Sequence, residues 1–185
     1  MTEGGDGGGC AAGACESGRR VRAWILLGVL GWSASALGAT WRAATAEELS
    51  RALPQRAPVL AERIETEMRS ASGVIDEQGR LLAGVVLITA GYSANGKYAD
   101  YLLVQAPIRV GQARLAPGGY LLGWTRVADD LVVTISEAST GKEVTQVPAK
   151  RNESLHRVEQ LRVWPAPHGM IQLGRFTFDY ALADR

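Results

Sequence analysis

His156 and His168 are the only imidazoles in the 185-residue chain, so they bound any acid–base or metal chemistry that needs one. His156 stands beside Arg157 near an expected strand start, and His168 falls in a Pro-Ala-Pro-His-Gly loop. A metal held by both would need a carboxylate to join them, with Asp179 or Asp100 as the candidates. The spacing does not require such a site, and exposed loop or strand-end histidines are the preferred account of both residues. Serine chemistry has less support. Gly-x-Ser-x-Gly is absent, and Ser154-Leu155-His156 is only a short juxtaposition. Asp129-Asp130 offers paired carboxylates, but adjacent strand residues point to opposite faces, and a tight turn between strands explains the pair. Thr140-Gly141-Lys142 lacks the upstream glycine and the Gly-Lys-Thr order of a phosphate loop, and reads as another turn.

Binding is better represented than catalysis. Tyr92, Tyr98, Tyr101, Tyr120, Trp124 and Trp164 gather near turns. If exposed, Tyr92, Tyr98, Tyr101 and Trp164 form a candidate sugar- or peptide-stacking surface. If buried, Tyr120, Trp124 and Trp164 are core or core-edge residues. Charge is balanced, with 20 Lys+Arg against 19 Asp+Glu and no basic run, which argues against a nucleic-acid partner. Arg69, Arg80, Arg109, Arg114 and Arg126 are scattered like solvated strand positions. No cofactor or metal is implied.

The elements that would position these residues follow a leader. Residues 1–18 are Gly-rich and poor in apolar side chains. Arg19, Arg20 and Arg22 precede an uncharged run from Ala23 to Trp41, whose apolar block Trp24–Leu30 gives way to the small residues Ser33 to Ala39. That order is the layout of an export signal, with cleavage sites after Ala36, Gly38 or Ala39. The same run, residues 23–41, is long enough to stay in a bilayer as an inner-membrane anchor, or to be a buried core helix. Arg19-Arg20 also admits a twin-arginine route. Both cysteines, Cys10 and Cys15, precede the apolar block, so a processed chain carries none.

Beyond the leader, Thr45-Ala46-Glu47-Glu48 has the form of a capping box and predicts a short helix ending before Pro54. Pro54 to Pro58 reads as an extended, linker-like stretch. Residues 60–70 fit either a helix face or an alternating strand, and strand is the narrower preference. Leu81 to Thr89 is a buried strand by its apolar, branched composition. Asn95-Gly96 is a hairpin turn, and Tyr101 to Val110 is the returning strand, with an irregularity at Pro107. Ala116-Pro117-Gly118-Gly119 turns the chain. Tyr120, Leu122 and Trp124 then alternate with Leu121, Gly123 and Thr125, and Leu131, Val133 and Ile135 share one face of the next strand. Leu161 and Val163 mark a strand closing at Pro165-Ala166-Pro167. Ile171 and Leu173 precede Phe176, Phe178 and Tyr180 with a change of phase at Gly174, where a β-bulge is expected.

Ser72-Gly73-Val74-Ile75-Asp76-Glu77-Gln78-Gly79-Arg80-Leu81-Leu82-Ala83-Gly84-Val85 resembles the opening of carboxypeptidase-regulatory-like domains, which are small transthyretin-like β-sandwiches of exported bacterial proteins. Ala94-Asn95-Gly96-Lys97-Tyr98 looks like that family's next turn, and Leu115-Ala116-Pro117-Gly118-Gly119-Tyr120 resembles its Pro-Gly-x-Tyr hairpin. The likeness spans residues 72–124. In this chain Asp76 comes one residue early, Leu81 stands where Pro is usual, and the stretch from Tyr98 to Leu115 is longer. The matching positions are turn and strand punctuation, so the resemblance implies a fold and no catalytic residue.

The expectation is an all-β protein, an antiparallel β-sandwich of Ig-like or transthyretin-like type, preceded by a signal or anchor helix and one short helix. Residues 1–39 form the leader, 40–60 the short helix and linker, and 61–185 the sandwich. The functional expectation is a non-catalytic module, exported to the periplasm or cell exterior, that engages an envelope protein or glycan. A small hydrolase or metal-assisted enzyme using His156 and His168, and a carbohydrate-binding module using the aromatics, are the alternatives.

Overall fold

Alternation of apolar side chains with period two dominates the chain from Arg56 onward, and the backbone answers it with strands. The computed structural model describes residues 40–89, 97–165 and 169–183. The leader up to residue 39, the Asn95-Gly96 turn, Ala166 and Pro167, and the candidates Tyr92 and His168 lie outside the described residues. Among those described, no helix is long and apolar enough to cross a membrane.

The order is β1 (Arg42–Ala43), α1 (Ala46–Ala52), β2 (Arg56–Val59), β3 (Glu62–Ile75), β4 (Leu81–Leu87), β5 (Asp100–Val104), β6 (Ile108–Val110) and β7 (Ala113–Leu115). Then come β8 (Gly118–Val127), β9 (Asp130–Glu137), β10 (Glu143–Arg151), β11 (Glu159–Trp164), β12 (Met170–Gly174) and β13 (Phe176–Leu182). The capping box forms as the sequence predicts. Thr45 Oγ1 accepts from Glu48 N at 3.3 Å, and Glu48 Oε2 accepts from Thr45 N at 2.8 Å. The helix ends before Pro54, and the ambiguous 60–70 segment is part of the long strand β3.

The protein is all-β and antiparallel. Hydrogen-bonded neighbours run β1-β3-β4-β5-β8-β9-β10-β13-β12-β11, and this one sheet curls until β11 lies against β3 and β4, giving a barrel-like form. Among the described residues no strand ladder joins β11 to β3. Side chains hold that seam instead. Ser72 Oγ accepts from Val163 N at 3.0 Å, and Gly84 leaves room for Leu161, whose Cδ2 would lie 2.6 Å from a Cβ at that position.

Each strand sorts its side chains between two cores. Val74, Leu82, Leu102, Val104, Leu122, Val133, Ile135, Val163 and Ile171 fill the inside of the curl. On the outer face of β3-β4-β5-β8, Ile75, Ala83, Val85, Tyr101 and Leu121 are covered by Leu49 and Leu53 from α1 and its C-cap, and by Ala57 and Val59 of β2. The hairpin of β6 and β7 pairs with the far end of β13, where Val110 faces Tyr180 and Ile108 faces Leu182. Ile108, Val110 and Leu115 are fully buried there and fill that end of the interior.

Two turns show why the sequence needs its punctuation. Between β3 and β4, Asp76 accepts from Gln78 N at 3.0 Å, Arg80 N at 2.8 Å and Arg80 Nε at 2.7 Å, while Gly79 adopts φ +77. The bulge expected at Gly174 is instead the turn of a hairpin. Leu173 faces Phe176 directly, β12 pairs with β13, and Gly174 has φ +63. A two-residue loop reverses the chain and shifts the alternation just as a bulge would, and glycine supplies the positive φ.

Candidate ligand-binding site

An acid in phase with two core residues is the feature that organises the site. On β5, Asp100 precedes Leu102 and Val104 on the inward face. Its Cα partners are Val86 on β4 and Leu122 on β8. Asp100 is therefore carried into the interior by the same alternation that buries its neighbours, and it is 4% exposed. Its side chain has no hydrogen-bond or ion-pair partner among the described residues, and its oxygens open into the cavity, since Trp41 Nε1 is the sole sealed side-chain polar atom left unpartnered among those residues. Burial pushes its carboxyl up from the usual 3.8 to about 7.

Asp100 lines a cavity of about 380 Å³ at the end of the curl opposite the β6–β7 hairpin. The wall is mostly apolar: Val86 from β4, Trp124 from β8, Leu131 from β9, Leu173 from β12 and Phe176 from β13. Register brings these together, since Arg126 faces Leu131 and Leu173 faces Phe176. Gln160 of β11 and Arg126 of β8 complete the polar side chains of the wall. Arg126 Nε donates to Ala128 O at 3.2 Å, which ties its guanidinium to the β8–β9 turn. Trp124 is 39% exposed, and Ile88, Val127 and Val158, each near a lining residue in the chain, are exposed too. A mouth with mostly apolar walls and one convergent acid has the make-up of a small-molecule site.

The residues singled out from sequence are placed apart. Tyr98 and Tyr101 are buried in the outer core. Trp164 is half-buried on β11, where Arg162 stacks on its ring at 4.2 Å and its Nε1 donates to Gln172 Oε1 at 3.3 Å. Trp164 borders a groove of about 230 Å³ along the seam, with Ser72, Gly73 and Leu161. Tyr98 borders a second surface hollow with Lys97, Thr134, Glu143 and Trp124, the last of which also lines the main cavity. His156 is exposed in the β10–β11 connection and lines none of these cavities. Among the described residues no cluster of three His, Cys, Asp or Glu side chains is arranged to hold a metal. Asp129 lies in the β8–β9 turn, and Asp130 Oδ2 accepts from Lys150 Nζ at 2.6 Å as a strand-end ion pair.

Reading the sequence for metal and catalytic constellations named Asp100 only as a spare ligand. The signal that identifies it is its phase, because an unpaired carboxylate seldom occupies a position that alternation assigns to the core. Comparison with known proteins adds no further assignment: no family model, no curated protein and no solved structure matches the chain.

Proposed function

We propose that this protein is a non-catalytic, exported binding module whose barrel mouth takes a small, largely apolar ligand. The observation that carries the reading is the cavity of about 380 Å³ with Asp100 buried in its wall. Closed or nearly closed sheets of this size hold a single small ligand in the mouth, where apolar walls supply affinity and a few polar groups supply orientation. Catalysis would ask more of the site. General acid–base work needs a second group tuned to exchange the proton, and among the described residues the cavity wall offers Gln160 and Arg126 beside Asp100.

The finer elements of the proposal rest on sequence. Export is supported by the basic, apolar, small order of residues 19–39, and an envelope setting for the ligand or partner follows from it. A transthyretin-like arrangement is supported by the sequence resemblance over residues 72–124.

The test is amide chemical-shift mapping of the full chain against a set of small apolar fragments. Perturbations gathered at Val86, Asp100, Trp124, Leu173 and Phe176 are expected. Fragments that bind only along the Trp164 seam or beside Tyr98, or that bind nowhere, would overturn the assignment of the mouth.

A further inference from the structure

Resting on that reading, we propose that the ligand is an organic cation: a protonated amine on a compact aryl or alkyl body, with the Asp100 carboxylate as its counter-charge. Burying a carboxyl without a partner is costly, and folded proteins almost always give such a group hydrogen bonds or an opposite charge. Asp100 has neither among the described residues, although it is 4% exposed and lines an open cavity. A ligand carrying a positive charge would supply what the chain does not.

The surroundings agree with a cation rather than an anion. From β4, β9 and β12 the wall presents Val86, Leu131 and Leu173, from β11 it presents Gln160, and from β13 it presents Phe176. Trp124 and Phe176 put aromatic rings on the wall, a chemistry that attracts an ammonium group. Among the described residues, Arg126 is the one charged side chain on the wall besides Asp100, and its Nε donates to Ala128 O. Burial is what raises the Asp100 carboxyl. Near neutral pH about half of the Asp100 carboxyls carry a proton, and binding an ammonium expels that proton to the buffer as the ion pair forms.

Three probes with one body separate the possibilities: 2-phenylethylamine, 2-phenylethanol and phenylacetate, titrated calorimetrically into the full chain. The amine is expected to bind best, about tenfold tighter at about pH 8 than at about pH 6, with roughly half a proton released per amine at about pH 7, because a group titrating near 7 goes from mostly protonated to mostly ionised over that interval. The released proton is read on the unaltered protein, from the heat in two buffers of different ionisation enthalpy. Asp100→Asn should lose the amine's advantage and its pH dependence while still binding the alcohol. Arg126→Gln removes a like charge from the wall and should strengthen amine binding.

If the alcohol maps to the mouth and the amine binds no better, the cation is wrong and the mouth stands. If phenylacetate binds best, the sign is wrong, and Arg126 becomes the anchor. If none of the three reaches the mouth, both readings fall.

Discussion

Asp100→Asn should remove a pH-dependent weakness from the fold. In the folded protein, burial raises the Asp100 carboxyl from 3.8 to about 7, while the unfolded chain ionises it at the ordinary value. Between those limits the folded state keeps a proton that the unfolded state has given up. The contribution of Asp100 to stability is therefore most favourable below about pH 4, falls as the pH rises toward about 7, and levels off above it. At about 1.36 kcal/mol per pH unit, the interval from 3.8 to about 7 corresponds to about 4 kcal/mol. That is a large part of the roughly 5–15 kcal/mol a domain possesses. Asparagine keeps the shape and carries no charge at any pH. The variant should match the parent at about pH 4 and exceed it by up to about 4 kcal/mol at about pH 8. Urea unfolding followed by tryptophan fluorescence at both values gives the difference, and every other titrating group cancels in it. An equal gap between variant and parent at the two pH values would refute the reasoning, because a group already paired or solvated leaves no such signature.

Gly84→Val places methyl groups where Leu161 Cδ2 already stands 2.6 Å from a Cβ position, so the urea midpoint should drop by the equivalent of about 1–3 kcal/mol. An unchanged midpoint would mean that the seam yields without cost. Thr45→Ala removes the hydroxyl that accepts from Glu48 N, and a loss of about 1 kcal/mol is expected in the same assay. Gly174→Ala meets no neighbour within 4 Å, so its cost should be that of the positive φ alone, about 1 kcal/mol. A larger loss would point to a side-chain clash rather than to the backbone.

Local chemistry was legible in the sequence wherever one residue type has one physical use. Thr45 with Glu48 gives the cap, and Asp76 with Gly79 gives the β3–β4 turn. Leu131, Val133 and Ile135 announce a strand with a buried face, and all three lie in the inner core. The hairpin at Gly174 was misread because a phase change at a glycine has two mechanical causes, and only the pairing of Leu173 with Phe176 separates them. Closure of the sheet is a long-range property. Nothing local to Ser72 or Val163 reveals that residues so far apart in the chain share a hydrogen bond. The site inherits the same difficulty. Asp100 could be placed on an inward face from its phase with Leu102 and Val104, but the wall it shares with Gln160 and Phe176 exists only once the curl has formed.

The seam between β3 and β11 has a consequence for the width of the mouth. A cylinder bonded through its main chain all the way round has a girth fixed by strand number and stagger, and widening it means tearing a ladder. Here one meridian is fastened by a serine hydroxyl and a leucine wedged over a glycine. Those fastenings can be retuned one side chain at a time. The bore of this molecule is thus a property that substitution at positions 72, 84 and 161 can adjust in small steps, with the rest of the wall left intact.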